Sequence, residues 1–176
     1  MSVAIGLLLF VLTVTFMEGF AYVAHRWVMH GFLWSLHKSH HEPRTGAFEL
    51  NDWFAVMFAL PAITLIAFGT YGDMPALVWI GAGITMYGAI YAGFHDIIVH
   101  RRIRHGWNPR SKYLKRIIQA HRLHHVVESK HGTVSFGFLV APPVRVLLAD
   151  LESRGEGKLR AASKVRREMV TEPASG

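Results

Sequence analysis

The stretch Trp53–Phe94, "WFAVMFALPAITLIAFGTYGDMPALVWIGAGITMYGAIYAGF", decides the fold. It holds two charge-free apolar runs, Trp53–Tyr71 and Ala76–Phe94, of 19 residues each, joined only by Gly72-Asp73-Met74-Pro75. As α-helices, runs of this length reach about 28 Å, close to the ~30 Å hydrocarbon core of a bilayer. A buried soluble helix seldom stays uncharged on every face for so long. The tight turn makes the pair a hairpin, and a hairpin returns the chain to the face it left. Whatever precedes Trp53 therefore meets whatever follows Phe94 at one membrane surface. Within the second run, Gly81, Thr85, Ala89 and Gly93 form a small-residue stripe at four-residue spacing, which predicts close helix packing in lipid.

A third run, Val3–Ala24, has 22 residues and a single charge, Glu18. The expected fold class is thus an all-α integral membrane protein in one domain of 176 residues, with transmembrane helices at about 3–24, 53–71 and 76–94. The first run lacks the basic n-region and small-residue cleavage site of a secretory signal. Trp27, Trp34 and Trp53 flank the span ends, where interfacial aromatics are expected. The segment Val134–Leu151 is apolar but broken by Pro142-Pro143 and Arg145, which predicts an interfacial or re-entrant element rather than a span. The tail, 152–176, is expected to fray.

Charge orients this arrangement. Between Ile97 and Val127 stand eight Lys and Arg and no Asp or Glu, whereas the hairpin turn carries only Asp73. The positive-inside rule then puts the N-terminus outside and the flanks of the hairpin in the cytoplasm. The chain has no cysteine and no glycine-rich nucleotide fingerprint, which excludes disulfides, thiolate-bound iron–sulfur clusters and a flavin or nicotinamide domain of its own. No nucleic-acid partner is expected.

The cytoplasmic flanks are where the histidines gather. "HKSHH" at His37–His41 returns as "HRLHH" at His121–His125, and each is preceded by a wider pair. The first half gives His25, His30, His37, His40 and His41; the second gives His95, His100, His121, His124 and His125. In H-x2-H-H the positions i, i+3 and i+4 share a helical face, so three imidazoles can converge on a metal centre. H-x4-H does not fit an ideal helix, where i and i+5 stand ~140° apart. Both such pairs begin as a span ends, so a loosened last turn or a π-bulge is predicted there. A lone histidine is usually an exposed or hydrogen-bonded side chain; ten in two matching patterns on one face point instead to metal. His105 and His131 fall outside both patterns and keep the ordinary role, with a supporting hydrogen bond to the site as their other use.

Imidazole suits Zn, Cu, Fe and Ni, so ligand type leaves the metal open. Ten ligands are too many for one structural zinc, and two ions with open positions fit the count better. Two irons that activate O2 can attack an unactivated C–H bond of a lipid-soluble substrate, which acid–base side chains cannot.

These motifs, in this order, resemble the membrane fatty acid hydroxylase superfamily of non-haem di-iron oxygenases. More narrowly, "MEGFAYVAHRWVMHGFLWSLHKSHHEPR", "FELNDWFAV", "HDIIVHRR", "YLKRIIQAHRLHH" and "VSFGFL" are similar to the bacterial β-carotene 3-hydroxylases over about residues 17–140. The resemblance implies hydroxylation at carbon 3 of β-ionone rings, from β-carotene through β-cryptoxanthin to zeaxanthin, with ketolated carotenoids as further substrates. It implies two iron ions, O2 as co-substrate, the ten patterned histidines as iron ligands, and a bacterial inner membrane. With no redox cofactor of its own the chain needs an external electron donor. The basic stretch Arg101–Arg122 suits an acidic donor such as ferredoxin with its reductase, and equally suits anionic lipids. Glu18, an intramembrane acid seven residues before His25 and on roughly the same face, is a candidate partner for an imidazole N–H, as are Asp96, Glu49 and Asp52, the last two suiting a plain interfacial role at least as well.

Three other functions compete. A hydroxylase or desaturase of acyl chains or sterols would share the ligand set and differ in pocket shape. A metal transporter would line a path inside the spans, yet before their cytoplasmic ends the spans contain only Glu18 as an ionisable group. A non-catalytic carotenoid-binding protein would have no use for ten convergent imidazoles.

Overall fold

The computed structural model describes residues 1–44 and 46–154. It is all helical: among the described residues there is no strand. Helix α1, Val3–Val23, starts at Ser2, whose side chain accepts from the Ile5 N–H, and runs directly into a π-helical segment, Ala24–Phe32. Helix α2, Trp34–His41, follows, and a single 3-10 turn, Leu50–Asp52, leads into α3, Trp53–Tyr71. Helix α4, Pro75–Tyr91, continues into a second π-helical segment, Ala92–Val99. Two shorter helices follow among the described residues, α5 at Lys112–His124 and α6 at Val144–Arg154. The expected frayed tail begins inside α6; its remainder, 155–176, lies outside the described residues.

The hairpin forms as its sequence predicts. Gly72 and Met74 donate backward to Phe68 and Gly69, Asp73 takes a left-handed φ of 51°, and Pro75 starts α4, where its missing N–H is harmless. With the π segments included, Val3–Phe32, Leu50–Tyr71 and Pro75–Val99 are each long and apolar enough to cross a membrane. Their apolar side chains face outward, with Leu8, Phe16, Ile63 and Phe68 each more than half exposed, while His37, His41, His95 and His124 are buried. A water-soluble chain sorts these residues the other way.

Helix α4 is central and packs on both α1 and α3. Glycines permit this. A Cβ on Gly83 would collide with Thr13 and the Phe10 carbonyl of α1, and one on Gly81 with Ile66 and the Ala62 carbonyl of α3. The four-residue stripe is therefore not the contact surface. Of its members only Gly81 needs to be small; Gly93 has open space beside it, and Thr85 donates to the Gly81 carbonyl. Close contact with two partners calls for glycines on two faces of α4, two residues apart.

Beyond the spans, α5 and α6 pack through Ile117, Ala120, Leu123 and Leu147, closed by Val134 and Ala141. The segment Val134–Leu151 consists of irregular chain followed by α6. At 11 residues α6 extends about 16 Å, too short to cross a bilayer.

Candidate metal centre

Both H-x4-H pairs lie where the backbone loosens. In the first π segment Leu33 N–H reaches the Val28 carbonyl, and in the second His100 N–H reaches the His95 carbonyl, each five residues back. This spacing places residues five apart nearly one above the other, so His25 over His30 and His95 over His100 share a face. Gly31 leaves helical geometry altogether, at φ −106° and ψ −122°, and turns the chain into α2.

The ten histidines gather as the doubled pattern predicts, though not as two separate halves. Nine fall into two groups whose nitrogens lie within 4.8 Å of one another: His25, His30, His37 and His124, and His40, His95, His100, His121 and His125. Each group borrows one histidine from the other half of the chain, His124 in the first and His40 in the second. Neither H-x2-H-H triplet converges on a single point. On an α-helix i+3 and i+4 lie ~100° apart on opposite sides of i, so the triplet fans out and serves both groups. The tenth, His41, lies between them, its ring 4.9 Å from those of His30 and His124 and 4.5 Å from that of His125. His105 bonds the Ile97 carbonyl and His131 is exposed; neither joins a group.

The chemistry of the donors fits a cation. A neutral imidazole carries one N–H. His25 Nδ1 donates to the Phe136 carbonyl at 3.0 Å, His30 to Lys130 at 3.0 Å, His37 to Asn51 Oδ1 at 2.7 Å and His124 to Val134 at 2.9 Å. Asp96 accepts from His95 at 2.8 Å and Glu49 from His40 at 3.4 Å. Their Nε2 atoms then bear lone pairs, and these meet head-on at 3.1 Å in the pairs His25–His37, His30–His124 and His40–His95. Two lone pairs repel at that distance unless a positive charge sits between them. A proton is disfavoured: burial, with neighbouring imidazoles adding, pushes His37 down to about 3 and holds His40, His121, His124 and His125 well below 6.5. A metal ion suits better, because two nitrogens at right angles and ~2.1 Å from one ion stand ~3.0 Å apart.

The supporting residues divide. Asp96 and Glu49 hold imidazoles, as their expected role requires. Asp52 instead bonds Arg102 and the Glu49 backbone. Glu18 touches no imidazole. Its Oε2 accepts from Tyr87 at 2.7 Å, and its Oε1 accepts from the backbone N–H groups of Phe138, Leu139 and Val140 at 2.8–3.0 Å. It is a clamp that ties α1 and α4 to the strap carrying the Val134 and Phe136 carbonyls. Between those carbonyls Ser135 takes a left-handed φ of 61°, which turns one toward His124 and the other toward His25. Sequence reading missed Asn51 and the backbone acceptors. Asn51 had a signal, lying within "FELNDWFAV"; carbonyls leave none. Trp34, expected at the interface, packs on His30 and His41 instead.

A cavity of about 460 Å³ leads to this centre from between α1, α3 and α4. Its walls are apolar along Met17, Phe54, Ala62 and Ile84, and its floor is His25, His95 and His121, which draws on both groups. Phe20 of α1 and Phe58 of α3 meet edge to face at 5.9 Å across it. The arrangement brings an apolar guest from the lipid side to two clusters of metal-ready imidazoles.

The family described as fatty acid hydroxylase matches residues 10–142. A beta-carotene hydroxylase of Pantoea ananas is 51% identical over 171 residues, covering 97% of this chain and 96% of that one. One from Pseudescherichia vulneris is 50% identical over 96% of both chains. The chloroplastic beta-carotene 3-hydroxylase 2 of Arabidopsis thaliana is 44% identical over 129 residues, 72% of this chain and 42% of the plant protein. No solved structure matches.

Proposed function

The chain belongs to the fatty acid hydroxylase family, and on that premise we propose that it hydroxylates carbon 3 of the β-ionone rings of β-carotene, passing through β-cryptoxanthin to zeaxanthin. The observation that carries this reading is the cavity: a hydrocarbon-lined space between membrane helices whose floor is made of histidines from both groups. A ring end fits such a space while the polyene stays in lipid. An acyl chain has no bulky head to fill it.

The two groups would hold one iron each, with His41 placed to serve either. When bound, the iron pair supplies O2-dependent insertion of one oxygen atom into a C–H bond, the other leaving as water with two electrons and two protons. The chain's own residues do the rest. Asn51, Asp96 and the strap carbonyls fix the tautomers of His37, His95, His25 and His124 and aim their lone pairs inward. Phe54, Phe136 and Phe138 wall the floor off from water, which limits unproductive reactions. Metal binding requires neutral imidazoles, and burial keeps them so.

The electrons come from an acidic donor, ferredoxin with its reductase, docking on Arg101–Arg122, and anionic lipids share that surface. The protein lies in the bacterial inner membrane with its N-terminus outside and the histidine face in the cytoplasm, supported by the Lys/Arg bias of that face.

Expression in a β-carotene-producing bacterium tests this directly. The expected outcome is zeaxanthin, with about two irons per purified chain. His40→Ala and His124→Ala should each lower product more than about 100-fold, while His105→Ala and His131→Ala keep most of it. Absence of any polar carotenoid with donor supplied, or a lone zinc in active protein, would overturn the proposal.

A further inference from the structure

The two histidine groups differ in what stands behind them. In the group His25, His30, His37 and His124, every outer nitrogen donates to a neutral oxygen: the carbonyls of Phe136, Lys130 and Val134 and the side-chain amide of Asn51. Behind the other group stand carboxylates, Asp96 at 2.8 Å from His95 Nδ1 and Glu49 at 3.4 Å from His40 Nδ1. Arg102 gathers them. Its Nη2 lies 2.5 Å from Asp52 and 3.4 Å from Glu49, and its Nε 4.0 Å from Asp96. Arg44 Nε stands 3.6 Å from the other oxygen of Glu49. Three carboxylates against two guanidiniums leave this layer one unit negative, whereas the partners of the first group carry no charge.

A carboxylate that accepts an imidazole N–H pushes electron density onto the opposite nitrogen and makes it a stronger ligand, and its charge attracts the cation beyond. A carbonyl or amide does so less. Most of the imidazoles are buried, while the Glu49 and Asp96 side chains are 11% and 27% exposed, so solvent screens the difference only in part.

We propose that the two sites are unequal: the group His40, His95, His100, His121 and His125 holds its metal the more tightly, with Asp96 and Glu49 as positioning residues acting through His95 and His40, and Arg102 as the clasp that keeps both carboxylates in place. The inference rests on the reading that each group takes an iron. It predicts an asymmetry that the repeated motif does not contain.

The test is stepwise removal of iron. Full-length protein in detergent, loaded anaerobically with Fe2+, is exposed to a ferrous chelator at rising concentration, and iron per chain is counted at each step. The wild type should lose one iron early and the second only at a chelator concentration at least about tenfold higher. In Asp96→Asn the late step should move about 10–100-fold toward the early one, which stays where it was. Asn51→Asp puts a carboxylate behind His37 and should move the early step the other way, to higher chelator. That gain cannot arise from misfolding, so it decides the matter if Asp96→Asn proves unstable. Two irons leaving the wild type together, Asp96→Asn loosening the early iron instead, or Asn51→Asp leaving the early step unmoved or weaker would each overturn the asymmetry. A wild type that never holds two irons would instead sink the two-iron reading beneath it.

Discussion

An imidazole has one proton to place, and seven of the ten histidines place theirs on an outward Nδ1: His25, His30, His37, His40, His41, His95 and His124. That fixes the inward nitrogens as lone pairs before any metal arrives. It also sets the pH response of the metal-free protein. His37 titrates near 6.5 when unfolded and is pushed down to about 3 when folded. Between those values the unfolded chain binds the extra proton, so stability rises with pH across that window and is full above about 6.5. His40, His121, His124 and His125 act in the same sense. The melting temperature of metal-stripped protein should therefore stay level from pH 7.5 to about 6.5 and fall from there to pH 5. A flat profile would mean that the imidazoles are hydrated rather than packed as described.

Among the elements, the two π segments matter most. An α-helix would point His25 and His30 ~140° apart; the wider turn aligns them without ending the span. The same economy governs α4, which needs glycine wherever a neighbour's backbone comes close. Gly83→Leu should force α1 away from α4 and cost about 1–3 kcal/mol. Gly93→Ala, with nothing within 4 Å, should leave stability unchanged. Thermal unfolding in one detergent compares the pair, and equal melting temperatures would contradict the packing.

For the whole molecule, the decisive feature is that three apolar helices surround a space that ends on the histidines. Gly88 lines that space, and a Cβ there would meet no atom within 4 Å. Gly88→Phe should therefore fill the cavity without disturbing its walls. Hydroxylation should drop to a small fraction of wild type while iron per chain and melting temperature stay the same. Full activity in this variant would show that the ring approaches the centre by another route.

Much of this was legible in the residues. Charge-free runs of membrane length, the four-residue turn and the histidine spacing follow from local physics, because helix length, turn chemistry and side-chain periodicity are short-range properties. They determined three helices long and apolar enough to cross a membrane, a gathering of all ten histidines at one end of them, and a backbone irregularity at each H-x4-H pair. How the histidines divide was beyond their reach. His124 joins His25, and His40 joins His95, because the histidine rings of α2 and α5 meet in space, His41 lying 4.9 Å from His124 and 4.5 Å from His125. Glu18 faces Tyr87 and a backbone strap rather than an imidazole because that strap, more than a hundred residues later, folds back onto α1. Local sequence set which groups the centre is made of; long-range packing decided which of them meet, since contact between distant segments depends on how every intervening helix is placed.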